Sequence, residues 1–392
     1  MASLFLVVAA HRSNGLVVGR FLRRCVTTEL DRLRRCCDRL TQLQRRIRFP
    51  PLETITVNGE DIRLPLPSVE AVLSPSHGEL EYLVGFFDGD GCVTMNSKTG
   101  AVHLSISQNV DSVDVLLHFR TMLGGGVYHH YPRAGSRKAS VRWQVHSSKM
   151  SQAAVALSSL PSMKQAQLEI AMRGTVALSD RDSVEQKLKT FKQKHHAPSQ
   201  MPRCSWRYLA GFFDAEGCIS VRSYSGLSLR LKQVNPRVLM ELQGFLRHYG
   251  WRLYHYGSCS ELICNNTTGC KEVLERLLEN GLLVKRKQAK LALTLSTENH
   301  LEIRDAIFAL NGWQKRYQRL DREGIARATE IHILQNRLRS RVGLEFTSLK
   351  CQIDELRSEH DLQTLISRST LLRNDMRQAL REGGHLTPFS SS

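Results

Sequence analysis

One short stretch occurs twice in this chain, and the duplication constrains its fold more than any other feature. Tyr82-Leu-Val-Gly-Phe-Phe-Asp-Gly-Asp-Gly-Cys92 returns as Tyr208-Leu-Ala-Gly-Phe-Phe-Asp-Ala-Glu-Gly-Cys218. The likeness continues further along each copy, where two segments of the first copy, Leu104–Gln108 and Lys164–Leu168, match Leu229–Gln233 and Lys287–Leu291 of the second. Similarity over this length is the mark of a repeated structural unit. The chain therefore contains two copies of one domain.

Each copy begins with a helix and continues with strands. Ser76 and Glu79 form a capping-box pattern before the first repeated stretch, and Ser205 can cap the second. After Gly91 and Gly217, which we expect to end these helices in the left-handed conformation, apolar residues alternate with period two, as in half-buried antiparallel strands. The predicted fold is α+β, with two pseudo-symmetric αββαββα repeats.

The remaining segments extend and join these repeats. The chain before the first repeat predicts a basic helix from Leu30 to Ile47 and a hairpin around Asn58-Gly59. After residue 300 we favour a helical hairpin that packs on the core over a partner-binding coiled coil, because no strict heptad is present. The predicted segments are an N-terminal extension (residues 1–75), a first repeat (76–178), a linker (179–203), a second repeat (204–300) and a C-terminal helical extension (301–392).

Composition narrows the class of partner. The chain has 55 Lys and Arg against 37 Asp and Glu, a net charge of +18, which favours nucleic acid over an inert basic surface. Its ten cysteines contain no C-x-x-C pair, which indicates reduced thiols rather than a zinc site. No apolar run reaches the ~18 to 20 residues that span a bilayer, so we expect a soluble protein without a membrane partner.

Small residues mark one face of each repeated helix. Gly85 and Gly89 in the first copy, and Gly211 and Ala215 in the second, stand four residues apart, so each helix has a face on which two backbones can approach closely. Because glycine costs ~0.5 to 1 kcal/mol in a helix interior, these positions need a compensating contact. The spacing predicts that the two helices pack on each other.

Asp90 and Glu216 are the residues that we expect to carry chemistry. Each stands at the end of its helix, where the helix dipole disfavours an acid, and packing of the two helices would bring the carboxylates together. A divalent cation such as Mg²⁺ or Mn²⁺ would relieve both penalties; the alternative is that each acid hydrogen-bonds a neighbouring turn. Asp88 and Asp214, two residues earlier, are expected to bond backbone rather than metal.

These residues resemble a known family. Leu83-Val-Gly-Phe-Phe-Asp-Gly-Asp-Gly91 and Leu209-Ala-Gly-Phe-Phe-Asp-Ala-Glu-Gly217 are similar to the double-motif LAGLIDADG homing endonucleases, over roughly residues 76–315. The resemblance implies helices packed through their motifs, antiparallel sheets that form a DNA-binding saddle, and a pseudo-symmetric monomer that hydrolyses one phosphodiester per strand of a specific duplex site, in intron homing. It also implies a metal site at Asp90 and Glu216 together with Gly89 and Ala215.

The same resemblance implies further catalytic residues. Gln108 and Gln233, which end the second strand of each copy, correspond to a family residue that helps to order active-site water. Lys285 corresponds to a basic residue near the scissile phosphate, or is one more phosphate contact. Matching the Lys-Gln-Ala segments puts Ser162 opposite Lys285, so that either the two strands are cut unequally or Lys164 substitutes from a shifted position.

The open faces of the predicted strands supply candidate DNA contacts. A β-ribbon fits the major groove, where Arg and Lys can read guanine and Gln and Asn adenine. The predicted contacts are Asn96, Lys98, Ser105, Ser107, Arg142, Gln144, His146, Arg222, Tyr224, Arg230 and Lys232, with Lys315 and Arg316 as phosphate contacts by resemblance to the tail of single-motif algal members.

Two alternatives remain open from the sequence. The family's fold also serves RNA-binding intron maturases that do not cleave, so intron RNA is a second possible partner. Residues 1–28, rich in Arg, Ser and Thr and without an acid, have the composition of a chloroplast or mitochondrial transit segment, or of an ordinary basic chain end.

Overall fold

A computed structural model describes most of the chain, namely residues 16–50, 52–57, 59–130, 139–146, 148–192, 200–222, 225–310, 316–339 and 344–387. The molecule divides into two compact units. The larger consists of Pro51–Pro132 and Arg137–Trp313, and the smaller contains the two ends of the chain.

The chain before the first repeat contains one helix and four short strands. Their bounds are Leu16–Arg45 for α1, Ile47–Arg48 for β1, Thr54–Val57 for β2, Glu60–Arg63 for β3 and Leu66–Val69 for β4. The first repeat follows, with α2 at His77–Asp90, β5 at Cys92–Met95, β6 at Val102–Asn109, α3 at Val113–Leu123, β7 at Gly125–His130, β8 at Ser140–Val145, α4 at Ser148–Ser158 and α5 at Gln165–Met172.

The second repeat has the same order of elements. After a linking helix α6 at Arg181–Thr190 come α7 at Trp206–Glu216, β9 at Gly217–Val221, β10 at Leu227–Gln233, α8 at Arg237–Phe245, β11 at Trp251–Tyr256, β12 at Cys259–Cys264, α9 at Thr267–Glu279 and α10 at Arg286–Leu293. A further helix, α11 at His300–Leu310, follows the repeat. The chain then continues through α12 at Arg322–Leu338, α13 at Leu344–Arg381 and β13 at His385–Leu386.

The predicted fold class is confirmed, with one refinement at the end of each repeat. Two helices stand where one was predicted, α4 and α5 in the first copy and α9 and α10 in the second. Pro161, which has no amide hydrogen to donate, lies in the first break. Gly281, whose φ is +88°, lies in the second.

The start of α2 is as predicted, but its end is not. Ser76 accepts a hydrogen bond from the Glu79 amide while the Glu79 carboxylate accepts from the Ser76 amide. Gly91 and Gly217, expected to be left-handed, have φ of −67° and −71° and are extended. The reason is that each helix runs directly into a strand, so the chain needs an extended residue there.

Each repeat contributes one antiparallel sheet. The first has the order β4-β7-β8-β6-β5 and the second β11-β12-β10-β9. The inner faces of the strands and the repeated helices share one core, in which Phe86, Phe87, Phe212, Phe213 and Trp143 are fully buried. The first sheet has an extra edge strand, β4, which pairs with β7.

The linker predicted from its polar composition contains the helix α6. Leu188 is its buried residue. Arg181, its first residue, donates to the carbonyls of Lys98 and Thr99 at 2.6 and 2.9 Å, in the turn between β5 and β6. This helix therefore packs on the first repeat rather than running free between the two.

The smaller unit is built from both ends of the chain. Helix α1 packs against α13, α12 packs against α13, and β1 pairs with β13. Gln44 donates to the Tyr317 hydroxyl at 2.6 Å, and that hydroxyl donates to Asp375 at 2.6 Å. Helices α12 and α13 thus form the predicted C-terminal hairpin, but it packs with α1 in the smaller unit and not, as predicted, on the core of the repeats. In the described part of the chain, no helix combines the length and apolarity needed to cross a membrane.

Candidate active site

The two repeated helices, α2 and α7, pack through their glycines. A β-carbon on Gly85 would run into the carbonyl oxygen of Tyr208, and one on Gly211 would run into that of Tyr82. Gly89 lies against the Ala215 methyl group in the same interface. All four predicted helix-packing residues therefore lie where the two backbones meet.

Asp90 and Glu216 come together where α2 and α7 end. The position of a β-carbon on Gly89 would lie 3.1 Å from Glu216 Cγ, so the two acids are neighbours. Gln108 donates from Nε2 to Asp90 at 2.6 Å, and Gln233 does the same for Glu216 at 2.6 Å. Both glutamines lie at the end of a strand, on its helix side. Each repeat thus supplies one acid and one amide that holds it.

The two acids are poorly solvated and interact with each other. Burial raises the pKa of Asp90, although Lys285, Gln108 and Lys164 act in the opposite direction. Burial and the neighbouring Asp90 charge raise the pKa of Glu216 to about 7. Asp90 and Glu216 therefore repel each other when both are ionised, and Lys164 and Lys285 offset this repulsion only in part.

Lys164 and Lys285 occupy equivalent places beside these acids. Each is the residue just before the final helix of its repeat, α5 or α10. The Lys164 ammonium donates to the carbonyls of Phe87 at 2.6 Å, Gly89 at 3.3 Å and Gly91. The Lys285 ammonium donates to the carbonyl of Asp214.

This equivalence corrects the alignment that placed Ser162 opposite Lys285. The sequence alignment of the two Lys-Gln-Ala segments is shifted by two residues from the structural alignment. In the structure, Lys164 matches Lys285 and not Lys287. The lysines also relieve a penalty that we had assigned to a metal alone, because each places a cation at the negative end of a helix dipole. Burial lowers the pKa of both Lys164 and Lys285.

Asp88 and Asp214 face away from the paired acids and are buried, with exposed fractions of 5% and 2%. Asp214 accepts from the amides of Leu283 and Lys285 at 2.6 and 2.8 Å. Asp88 accepts from the Met163 amide at 3.0 Å and from the Ser162 hydroxyl at 2.5 Å. These contacts agree with the structural role expected for both. Burial raises the pKa of each carboxyl, against these hydrogen bonds.

The donor set at the acid pair fits a divalent cation. Asp90 and Glu216 offer hard carboxylate oxygens, and their repulsion would be relieved by positive charge between them. Among the described residues no group of three or more His, Cys, Asp or Glu side chains could hold a metal ion. Two carboxylates leave most coordination positions to water or phosphate oxygens, as Mg²⁺ favours. At Gly89, a predicted ligand, the carbonyl is already engaged by Lys164.

A family model matches part of the second repeat. Residues 204–261, which include α7 and the first strands of the second repeat, match the model of the LAGLIDADG-like domain. This match is consistent with the resemblance to the double-motif LAGLIDADG family and lies on the second repeat. Helices α2 and α7, which contain the two similar motifs, are called the LAGLIDADG helices.

Solved structures of LAGLIDADG nucleases are also similar to this chain. The meganuclease I-AabMI bound to uncleaved DNA is 18% identical with a TM-score of 0.44, over 59% of this chain and 97% of that one. The homing endonuclease I-GzeII in complex with its DNA target is 15% identical with a TM-score of 0.44, over 59% and 96%. No curated protein matches the chain.

Five predicted DNA contacts lie on the open faces of the two sheets, namely Ser107, Arg142 and Gln144 in the first and Arg230 and Lys232 in the second. Lys98 lies in the turn between β5 and β6, and Arg222 and His146 directly follow β9 and β8. Lys98, Ser107, Arg222, Arg230 and Lys232 are exposed, and Arg142, Gln144 and His146 are half-buried. Two of them have partners within the protein. Arg142 donates to Ser107 at 3.0 Å, and Lys232 pairs with Glu261 at 3.5 Å.

Two predicted contacts are corrected. Ser105 is only 9% exposed, because it lies in the middle of the sheet between Cys92 and Gln144, which it faces in the strand register. Asn96 lies beyond β5, and its side-chain oxygen accepts from the amides of Lys98 and Thr99, which stabilises the turn. Tyr224, Lys315 and the side chain of Arg316 lie outside the described residues.

The sequence analysis missed part of the open face. Strand β11 adds Arg252, Tyr254 and Tyr256, all exposed, with the two tyrosine rings stacked at 6.5 Å between centroids. In the first sheet, His103 lies 5.5 Å from His146, ring to ring. The alternation of Trp251, Arg252, Leu253 and Tyr254 was the signal that would have found the β11 residues.

We expect Arg230→Ala and Arg252→Ala each to weaken duplex binding. Both guanidinium groups are exposed on the open face of the second sheet, where each can neutralise a phosphate. The measurement is fluorescence anisotropy on a duplex over a series of salt concentrations, in which each variant should lower the salt slope by about 1. Arg276→Ala, an exposed arginine on α9, is the control; an equal loss in the control would contradict the assignment.

Proposed function

We propose that this protein is a site-specific endonuclease that hydrolyses one phosphodiester in each strand of double-stranded DNA with a divalent metal, as a homing endonuclease does. One observation carries the proposal: Asp90 and Glu216, each held by a glutamine, meet where the two LAGLIDADG helices end. A protein that only bound nucleic acid would gain nothing from two desolvated acids that repel each other.

The residues of this chain divide the work. A bound Mg²⁺ or Mn²⁺ would supply a polarised phosphate and an activated water. Asp90 and Glu216 would hold it, while the amides of Gln108 and Gln233 keep the carboxylates in place and leave oxygen lone pairs free. The amines of Lys164 and Lys285 lie beside the same acids and can stabilise charge that develops on the phosphate. The open strand faces would bind the duplex.

Because the two halves of the site match in the places of their lysines and glutamines, we expect both strands to be cut at comparable rates. Lys164 and Lys285 match in place, and Gln108 and Gln233 match in their contacts. The proposal thus removes one of two grounds for expecting unequal half-sites, namely the placing of Ser162 opposite Lys285. The other ground, the difference between Asp90 and Glu216, remains. One chain contains both halves, so we propose that the protein acts as a monomer.

The test is incubation of the purified full chain with a library of duplex sites and Mg²⁺, followed by sequencing of the cut ends. The proposal expects double-strand cuts at one long site. No cleavage across a complete library, together with tight binding to an intron RNA, would overturn it in favour of a maturase.

We also propose that the protein acts in an organelle, a chloroplast or mitochondrion. The basis is the composition of residues 1–28, which contains Arg12, Arg20, Arg23 and Arg24 and no acid. A fusion of residues 1–28 to a fluorescent reporter should enter the organelle, and a diffuse reporter would contradict the proposal.

A further inference from the structure

A crossed pair of hydrogen bonds joins the two LAGLIDADG helices. The Tyr82 hydroxyl on α2 donates to Asp214 on α7 at 2.7 Å, and the Tyr208 hydroxyl on α7 donates to Asp88 on α2 at 2.9 Å. All four side chains are buried. Neither the paired acids nor the proposed chemistry requires these contacts, and the two are equivalent in the two repeats.

Each of these aspartates also holds the loop that carries a lysine. Asp214 accepts from the backbone amides of Leu283 and Lys285 at 2.6 and 2.8 Å. In the second repeat, therefore, hydrogen bonds run from Tyr82 through Asp214 to the backbone of Lys285, although Tyr82 itself belongs to the first repeat.

The first repeat uses one more residue for the same purpose. Asp88 accepts from the Met163 amide and from the Ser162 hydroxyl, and that hydroxyl accepts from the Lys164 amide at 3.0 Å. In the second repeat Asp214 bonds the Lys285 amide directly, whereas in the first repeat Ser162 links Asp88 to the Lys164 amide. The hydrogen bonds run from Tyr208 through Asp88 and Ser162 to Lys164.

We propose that Tyr82 and Tyr208 are positioning residues, each of which holds in place the lysine of the opposite repeat: Tyr82 holds Lys285 through Asp214, and Tyr208 holds Lys164 through Asp88. The inference rests on the proposed function in one respect, namely that these lysines serve cleavage. The positioning itself is a property of the protein without DNA or metal.

The physical reason is the need of a buried carboxylate for donors. Removal of one donor leaves a carboxylate oxygen without a hydrogen bond inside the protein, which costs free energy. The oxygen regains a hydrogen bond only if the carboxylate or its other partners move. For Asp214 those partners are the amides of the lysine loop. A tyrosine that only filled space would not need its hydroxyl, since phenylalanine has nearly the same shape.

The crossing has a consequence for the whole site. Each lysine is held in place only while α2 and α7 are packed together. The reason is that the aspartate that holds its backbone accepts a hydrogen bond from a tyrosine of the other helix. The two halves are therefore assembled together rather than separately.

The first experiment needs neither DNA nor metal. Lysine amines of the full-length protein are labelled with acetic anhydride and quantified by mass spectrometry in wild type, Tyr82→Phe and Tyr208→Phe. We expect Tyr82→Phe to raise the labelling rate of Lys285 about tenfold, the order expected for one lost hydrogen bond to a charged group, with Lys164 unchanged. Tyr208→Phe should do the reverse.

A second variant shows whether the effect passes through the aspartate. In an Asp214→Asn background, Tyr82→Phe should add little to the labelling of Lys285, because residues in one hydrogen-bonded network are not additive. Tyr249→Phe is the matched control, since its ring is partly buried in the same core and its hydroxyl has no hydrogen-bond partner among the described residues.

The second experiment measures cleavage of each DNA strand separately. Tyr82→Phe should shift the ratio of the two nicking rates in the same direction as Lys285→Met, and Tyr208→Phe in the same direction as Lys164→Met. The inference is overturned if either tyrosine variant affects the lysine of its own repeat, both lysines equally, or neither. If wild type cuts no duplex, the proposed function fails and the labelling result still decides this inference.

Discussion

Glu216→Gln is expected to stabilise the metal-free protein while it removes cleavage. Burial and the Asp90 charge raise the pKa of Glu216 from 4.5 to about 7 in the folded protein. Between these two pH values the folded state binds a proton that the unfolded state does not, so stability falls as pH rises through this window and stays lower above it. At 1.36 kcal/mol for each pKa unit, the ionised Glu216 costs ~3 kcal/mol at pH 8.

The variant removes this cost because glutamine carries no charge. Its free energy of unfolding should therefore exceed that of wild type by up to ~3 kcal/mol at pH 8, and the difference should vanish near pH 4.5. Asp90→Asn should act in the same direction, since burial also raises the pKa of Asp90. Both variants should lower cleavage on the order of 100-fold or more, because each removes a charged metal ligand.

A metal titration gives a measurement that does not depend on activity. Mg²⁺ should raise the unfolding temperature of wild type at pH 8, since a ligand that binds only the folded state stabilises it, and should raise that of Glu216→Gln much less. Glu275→Gln, an exposed carboxylate on α9, is the control. Lower stability of Glu216→Gln at both pH 8 and pH 5 would show that attractive contacts, not repulsion, dominate at this acid.

The acid pair could be predicted from sequence because it depends on only two local facts. The motif occurs twice, and the small residues four apart define one face of each helix. Packing of these two faces on each other brings Asp90 and Glu216 together. Gln108 and Gln233 were predicted from the family resemblance, at positions that match between the two copies. None of these required knowledge of where a distant segment lies.

The surroundings of the acids could not be predicted in this way. The match of Lys164 to Lys287 was wrong, because the segments before α5 and α10 differ by a two-residue shift. The starts of the two helices instead agree with the alternative that Lys164 substitutes for Lys285 from a shifted position. Ser162 was taken for a replaced lysine, whereas its hydroxyl completes the contact between Asp88 and Lys164. The crossed Tyr–Asp contacts depend on which helix face meets which, and a single sequence does not show that.

Gly85→Ala should be among the most destabilising methyl additions to the chain. The new β-carbon would meet the Tyr208 carbonyl and the Phe212 amide nitrogen. These are backbone atoms of the facing helix, so they cannot rotate away as a flexible side chain can, and the two helices must separate. Overpacking costs ~1 to 3 kcal/mol, against a helix-propensity gain of ~0.5 to 1 kcal/mol. Because the clash is with backbone, the upper end of that cost applies and we expect a net loss of ~2 kcal/mol. The same holds for Gly211→Ala, whose β-carbon would meet backbone atoms of Tyr82 and Phe86.

Gly244→Ala is the matched control for this prediction. Gly244 lies in helix α8, and an added β-carbon would find no atom within 4 Å, so this variant should show only the propensity gain. Gly89→Ala should fall between, because its new methyl group meets the side chains of Ala215 and Glu216 rather than backbone. The measurement is hydrogen exchange of α2 and α7 amides in a urea series, which reports the unfolding free energy of the larger unit alone.

The double variant Gly85→Ala with Gly211→Ala separates helix packing from two independent local clashes. If the first methyl group moves the helices apart, the second finds room already made, and the combined loss should be smaller than the sum of the single losses. Separation should also weaken the crossed Tyr–Asp bonds, so acetylation of Lys164 and Lys285 should rise together, unlike the one-sided change expected for either tyrosine variant. If Gly85→Ala and Gly211→Ala each change the unfolding free energy as Gly244→Ala does, the two helices do not pack through their glycines.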